Sequence, residues 1–289
     1  MFLKKKSYSI ILQSQSNRVS SKINKAVKIT RVYSALKHLA RSFRFFSEVS
    51  SLALLILGWH FVSKKVPSFL LPSPLSTLQE TYKTLFSTEF LSNALLTLKR
   101  SVSGFLIAFA VTHILVLSSM YTATLKRFWS PLILIGLSIP ATIGIFVTVV
   151  MLGSRGPIAL IVVIIILTPL LYLMLYPAFQ NISKNLTEMA KVYHFPRRVF
   201  LRYVIVPQLA PYYLSAIRAG VNDSWKLAIL AEVFSFGDGV GYQIFQYFNL
   251  FSIRQVLAWF ISFLAILIAI EYGVFQPLER LLLPKTRKT

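Results

Sequence analysis

The chain has 289 residues, is 55% hydrophobic, and carries 31 Lys and Arg against 9 Asp and Glu, a formal net charge of +22. Its mean hydropathy of +0.65 excludes an ordinary soluble domain and assigns most of the charge to membrane topology rather than to nucleic acid. It has no Cys, so disulfides and thiolate metal sites are excluded, and its four His (His38, His60, His113, His194) show no ligand spacing.

Residues 1–44 form a basic arm with 11 Lys and Arg and no acid. The arm reads as a cytoplasmic segment lying on anionic lipid. The same Ser-rich, acid-free composition also fits an organellar targeting peptide or an RNA-binding segment. A first span is expected at 45–62. The sequence Leu71-Pro-Ser-Pro74 then makes a turn that no helix crosses intact. Residues 75–86 read as an amphipathic helix outside the bilayer core. The second span falls at 101–121, the third at 131–152 with a kink at Pro140, and the fourth at 158–176 after a tight turn at 153–157. A charged island occupies 187–207. The fifth span covers 209–234. A Gly-rich loop at 236–242 leads to a weak amphipathic piece at 243–253, and a sixth span covers 256–275.

The uncharged runs at 101–125, 128–154 and 156–183 each exceed the roughly 20 residues that cross a bilayer as a helix. They lack the alternation of a barrel strand, so the fold class is an all-α integral membrane protein with six transmembrane helices. Six spans put both termini on one side. The segments then assigned to the cytoplasm hold 22 of the 31 basic residues and the external ones hold 7. This bias gives an N-in, C-in multi-pass protein of the cell membrane, with the island at 187–207 in the cytoplasm. Lys64, Lys65, Lys99 and Arg100 run against the bias and are placed at headgroup level.

The island reads TEMAKVYHFPRRVFLRYVIVP and predicts a helix, a bend near His194–Pro196 and a second short helix. The first helix is expected around 187–195, capped by Thr187 or Asn185. By 3.6-residue spacing Met189, Val192 and Tyr193 fall on a face turned to the spans, and Glu188, Lys191 and Arg198 on one turned to the cytosol. The fifth span carries Arg218, Asn222, Trp225 and Glu232 at steps that share one helical face. A charge near the bilayer centre costs at least about 2.5–3.5 kcal/mol, so such a face borders a cavity or a partner, or closes an intramembrane ion pair.

Glu188-Met-Ala190, His194, Val204, Val206 and Pro207 stand at the spacing of the "EAA" loop of bacterial ABC importer permeases. LPSP with its following helix, LKRFWSPLI at 125–133, WKLAILAEVF at 225–234 with its downstream GVGY, and PLERLLLP at 277–284 are similar to the sulfonate, taurine, nitrate and thiamine-precursor branch. The resemblance spans about residues 45–285 and implies a type I ABC importer permease fold with a cytoplasmic coupling helix. It divides the chain into the arm at 1–44, a permease domain at 45–285 with its coupling loop at 184–207, and a basic tail at 286–289.

It further implies that Glu188, Met189, Ala190, His194 and Pro207 couple the chain to an ATPase, and that Arg218, Asn222, Trp225 and Glu232 line the translocation path. Implied partners are an ATPase homodimer, a second permease copy, a periplasmic or lipoprotein substrate-binding protein and membrane lipid, with no nucleic acid. The chain has no Gly-x-x-x-x-Gly-Lys-Ser/Thr phosphate loop. It is therefore expected to be no enzyme and to hold no cofactor or metal, ATP and Mg²⁺ residing on the partner. The expected solute is small, and anionic or heterocyclic. Three departures stand out: Met189 replaces an Ala, His194 replaces the Gly of the bend, and Asp223 stands where the branch often has Arg. The alternative readings are a non-transporting scaffold and an integral membrane enzyme, but the nine acids are dispersed rather than clustered.

Overall fold

The computed structural model describes residues 50–51, 53–153, 157–235 and 237–277. The basic arm at 1–44, part of the tight turn at 153–157 and the tail at 286–289 lie outside the described residues. Every regular element among those described is helical. Residues 53–65 form α1, whose Leu54, Leu55 and Phe61 are exposed.

The remaining helices form a second unit over residues 67–289. Helix α2 (Pro74–Leu85) starts where the sequence places it, with Ser73 as N-cap and Pro74 in the first turn. Helix α3 (Thr88–Tyr121) begins thirteen residues before the expected second span, because Ser87 caps it and nothing breaks the run. At 34 residues it is roughly 50 Å long, beyond the ~30 Å hydrocarbon layer. Lys99 and Arg100 thus sit inside a continuous helix rather than in a flanking loop.

Helices α4 (Ala123–Ser138) and α5 (Ala141–Leu152) divide the expected third span. The chain turns by 100° between them. Pro140 cannot donate to the helical ladder, and Ile139 before it is extended, with φ −77° and ψ 120°. The kink expected there is thus a full break. Helix α6 (Ile158–Gln180) is almost uniformly apolar and packs against both α3 and α9 (Val206–Val233), which also touch each other.

On the α3 side of this core the small residues Ser101, Gly104, Ala108, Thr112 and Ser119 are buried beside Phe105 and Val116. A Cβ on Gly104 would lie 2.7 Å from Val163 of α6, so the two backbones approach as closely as only glycine allows. Side-chain hydrogen bonds stitch the seams. Thr112 Oγ1 donates to the Thr168 carbonyl at 3.2 Å, Tyr172 Oη to Ser119 Oγ at 2.9 Å, and the Ser101 and Ser224 hydroxyls share a bond at 2.8 Å.

Among the described residues three helical segments are long and apolar enough to cross a membrane: Thr88–Tyr121, Ile158–Gln180 and Ile253–Val274. The bent pair α4–α5 makes a fourth if it counts as one span. Helix α9 is long enough but carries four charged residues. The last elements are α10 (Val240–Asn249) and α11 (Ile253–Ile270), the latter running into a π turn at Glu271–Phe275.

Candidate functional site: the charged island and the polar groups of α9

Helix α7 (Lys184–Val192) forms the first half of the island. It starts three residues earlier than the sequence suggests, because Ser183, not Thr187 or Asn185, caps it. Ser183 Oγ accepts from the Leu186 N–H at 3.4 Å, and the Thr187 hydroxyl donates to the Ser183 carbonyl at 2.9 Å. Gln208 on α9 ties this cap to the spans: its Oε1 accepts from the Ser183 N–H at 2.8 Å and its Nε2 donates to the Val204 carbonyl at 2.7 Å.

The helix ends at His194, whose φ is +50°. The Phe195 N–H donates to the Ala190 carbonyl and the His194 N–H to the Lys191 carbonyl, at 3.0 and 3.1 Å. This is a Schellman close, in which the residue after the cap is left-handed and most often Gly. The bend thus uses the positive-φ geometry at His194 itself, and Pro196 follows it.

The second half of the island is no separate short helix. Helix α8 (Arg197–Phe200) passes through a π turn at Leu201–Ile205 directly into α9, which carries Pro207 in its first turn. Pro207 has no N–H to continue the ladder, and the Val206 N–H reaches back five residues to the Leu201 carbonyl.

Glu188, Lys191 and Arg198 are exposed as expected, but the apolar side chains are not turned to the spans. Ala190 is the buried residue, at 4% exposure. Leu186, Met189, Val192 and Tyr193 are exposed, alongside Glu188. A nine-residue helix that, with its C-cap Tyr193, presents four large apolar side chains outward needs a partner surface, because such a patch is costly in water.

On α9 the structure brings Arg218, Asn222 and Trp225 together and leaves Glu232 out. Arg218 pairs with Glu271 across to α11's end, and Trp225 Nε1 donates to Asn222 Oδ1 at 3.2 Å. With Val221 and Leu264, these residues line a cavity of about 270 Å³ between α9 and α11. Asp223 and Lys226, off this face, pair with each other at 3.0 Å.

Glu232 lies on the same helical side but about two turns beyond Trp225, where α3 and the Gly-rich loop close over it. It is fully buried. Thr97 Oγ1 donates to its Oε2 at 2.8 Å, Arg100 Nη1 to its Oε1 at 3.0 Å, and the Gly241 N–H to its Oε2 at 3.1 Å. Arg100 also bonds the Asp238 carbonyl at 2.9 Å and the Asp238 carboxylate. The Val240 N–H donates to Thr97 Oγ1 at 2.9 Å and the Gly239 N–H to Asn93 Oδ1 at 2.7 Å.

Gly239 and Gly241 make room for this. A Cβ at 239 would fall 2.3 Å from the Glu232 carboxyl carbon, and one at 241 would fall 2.2 Å from the Ile229 carbonyl oxygen. A paired, fully hydrogen-bonded carboxylate is how a buried acid is tolerated. Of the two readings open for this helical face, Glu232 in this structure forms the ion pair: its carboxylate fastens α9 to α3 and to the start of α10. Sequence reasoning missed Asn93, Thr97, Arg100 and Asp238. The available signal was the single acid at the end of α9, shortly before the Gly239-Val-Gly241 turn, which needs a cation that another helix brings.

Residues 104–287 match the family described as binding-protein-dependent transport system inner membrane component. A probable ABC transporter permease of Brucella melitensis is 23% identical over 196 residues, 68% of this chain and 79% of the relative. A nitrate import permease of Synechococcus elongatus is 21% identical over 216 residues, covering 71% and 77% of the two chains. Among solved structures, an inward-facing form of the MetNI methionine ABC transporter aligns with a TM-score of 0.57 at 16% identity, over 68% of this chain and 97% of that one. An amino acid ABC transporter aligns with a TM-score of 0.52 at 19% identity, over 72% and 94%. The fold is that of these permeases, and the chain belongs to the family of inner membrane components of binding-protein-dependent transport systems.

Proposed function

We propose that this chain, the permease subunit of an ABC importer, takes its drive from a separate ATPase through α7. The observation that carries the reading is the geometry of the island. Its apolar side chains Leu186, Met189, Val192 and Tyr193 point away from the spans, while Ser183, Ala190 and Gln208 anchor it to them. A helix held this way transmits a push on its outer face to the first turn of α9. Glu188, Met189 and Ala190 form the docking and seating surface, His194 sets the exit angle, and Pro207 marks the join to α9.

The full assembly in this reading sits in the cell membrane, each permease copy having six spans, N-in and C-in. It comprises two copies of the permease, two ATPase subunits that hold ATP and Mg²⁺, and a substrate-binding protein on the outer side. Arg218, Asn222 and Trp225 border the path for a small solute, anionic or heterocyclic. The name of the cyanobacterial relative makes nitrate the first solute to try.

The test is ATP hydrolysis by a reconstituted complex of permease, ATPase and binding protein. Met189→Glu places a charge in the centre of the docking face. It is expected to abolish stimulation by the binding protein, and Glu188→Ala to weaken it. Unchanged stimulation in both variants would remove α7 from the coupling path. A scaffold without transport would assemble with the ATPase yet show no stimulation even in the unaltered chain.

A further inference from the structure

Helix α2 is inside out by the standards of a helix resting on a water-covered surface. Its buried side is threonine: Thr77, Thr81 and Thr84. Its outward side carries Leu75, Leu78, Tyr82 and, at the cap, Phe86, each 64–70% exposed. These positions recur at steps of three and four, so they form one continuous stripe. The Thr77 and Thr81 hydroxyls donate back to the Ser73 and Thr77 carbonyls, at 3.0 and 2.8 Å. They leave a small surface for α11, along which α2 packs. Ser262 Oγ of α11 donates to the Thr81 carbonyl at 3.3 Å in this buried seam.

Two facts fix what surrounds the outer stripe. Ser262 stands near the middle of Ile253–Val274, a segment long and apolar enough to cross the membrane. A contact there puts Thr81 at the depth of the hydrocarbon layer. The seam itself is made of Thr and Ser, the small residues that lipid-embedded helix pairs use, whereas a helix on an aqueous surface buries its Leu and shows its Thr.

We propose that α2 lies within the hydrocarbon layer beside α11, as a partial span whose Leu75, Leu78, Tyr82 and Phe86 face lipid acyl chains. At 12 residues it is roughly 18 Å long, too short to cross alone. Phe260 of α11 is exposed as well. Lys83 favours lipid over a second protein copy as the occupant. It is exposed beside Tyr82 and lines a shallow hollow with Leu78, Gln79 and Tyr82. Interface centres are depleted in Lys, but a Lys in lipid runs its apolar stem out to the headgroups.

The absence of Cys makes the test direct. A spin label is attached at Leu78→Cys or, separately, at Tyr82→Cys in the full chain reconstituted in phospholipid bilayers. Collision rates are then read with oxygen, which concentrates in lipid, and with a water-soluble nickel chelate. Labels at Phe260→Cys and Lys184→Cys mark the lipid and water references. The expected result is a mobile label at both positions, with oxygen collisions dominant as at 260. Nickel dominance as at 184 would return α2 to the aqueous surface and overturn the proposal. A label immobilised and shielded from both reagents, or broadened by a label on a second copy, would overturn it in favour of a protein interface.

Discussion

Two residues show how local chemistry sets this structure. His194 adopts a left-handed conformation that costs an L-residue roughly 1–2 kcal/mol, and Gly avoids most of that cost while losing some unfolded-state entropy. His194→Gly should therefore raise thermal stability by about 0.5–1 kcal/mol with ATPase coupling retained. A β-branched residue there should lower both, measured by unfolding in detergent and by stimulated hydrolysis. Glu232 is the opposite case, a charge made tolerable by three donors. Glu232→Ala leaves Arg100 without its buried partner and should cost about 3–5 kcal/mol, less whatever solvent reaches the half-exposed guanidinium. The double variant with Arg100→Ala should lose less than the sum, since residues in one network couple by about 0.5–3 kcal/mol. Additive losses in a double-mutant cycle would show that the pair does not fasten α3 to α9. The need for a special bend at His194 was readable from sequence. Glu232's partners were not, because Thr97 and Arg100 lie more than 130 residues away and only the packing of α3 against α9 brings them in.

At the scale of elements, periodicity located the helices but not which side of each faces protein. Met189, Val192 and Tyr193 share an apolar face, and the sequence reading turned it to the spans. The structure turns it outward, and the seat is Ala190. The reason is that an apolar stripe records only that water is excluded. Whether another helix, another chain or lipid excludes it is not written in the stripe. Helix α2 carries the same ambiguity, with threonine inward. The long α3 was missed for a related reason: Lys99 and Arg100 look like the edge of a span, yet Arg100 is spent on Glu232 and Asp238 within the helix bundle. Pro140 was legible as a disturbance but not as a 100° break. The seat of α7 gives a clean test. Ala190→Leu should overpack it and cost about 1–3 kcal/mol. It should also weaken ATPase binding without altering the outer face, measured by co-purification of the two subunits.

For the whole molecule, the all-helical class and the permease family were legible because the spans are long and the motifs of the island, the Gly-rich loop and the tail occur in order. The family match over residues 104–287 and the likeness to inward-facing permease structures agree with that order. The number of spans is harder to read, since α9 mixes Arg218, Asp223, Lys226 and Glu232 into a segment that must still lie among the others. Its charges are offset locally by Glu271, by one another and by Arg100. Everything proposed for this subunit's drive rests on α7 being a cytoplasmic helix whose apolar outer face is the docking surface for an ATPase. Val192 is 74% exposed on that helix, and Val192→Cys would be the sole thiol of the chain. A membrane-impermeant maleimide should label it in inside-out vesicles and not in intact cells. Added ATPase subunit should protect it. Labelling from outside, or labelling indifferent to the ATPase, would overturn this role for α7.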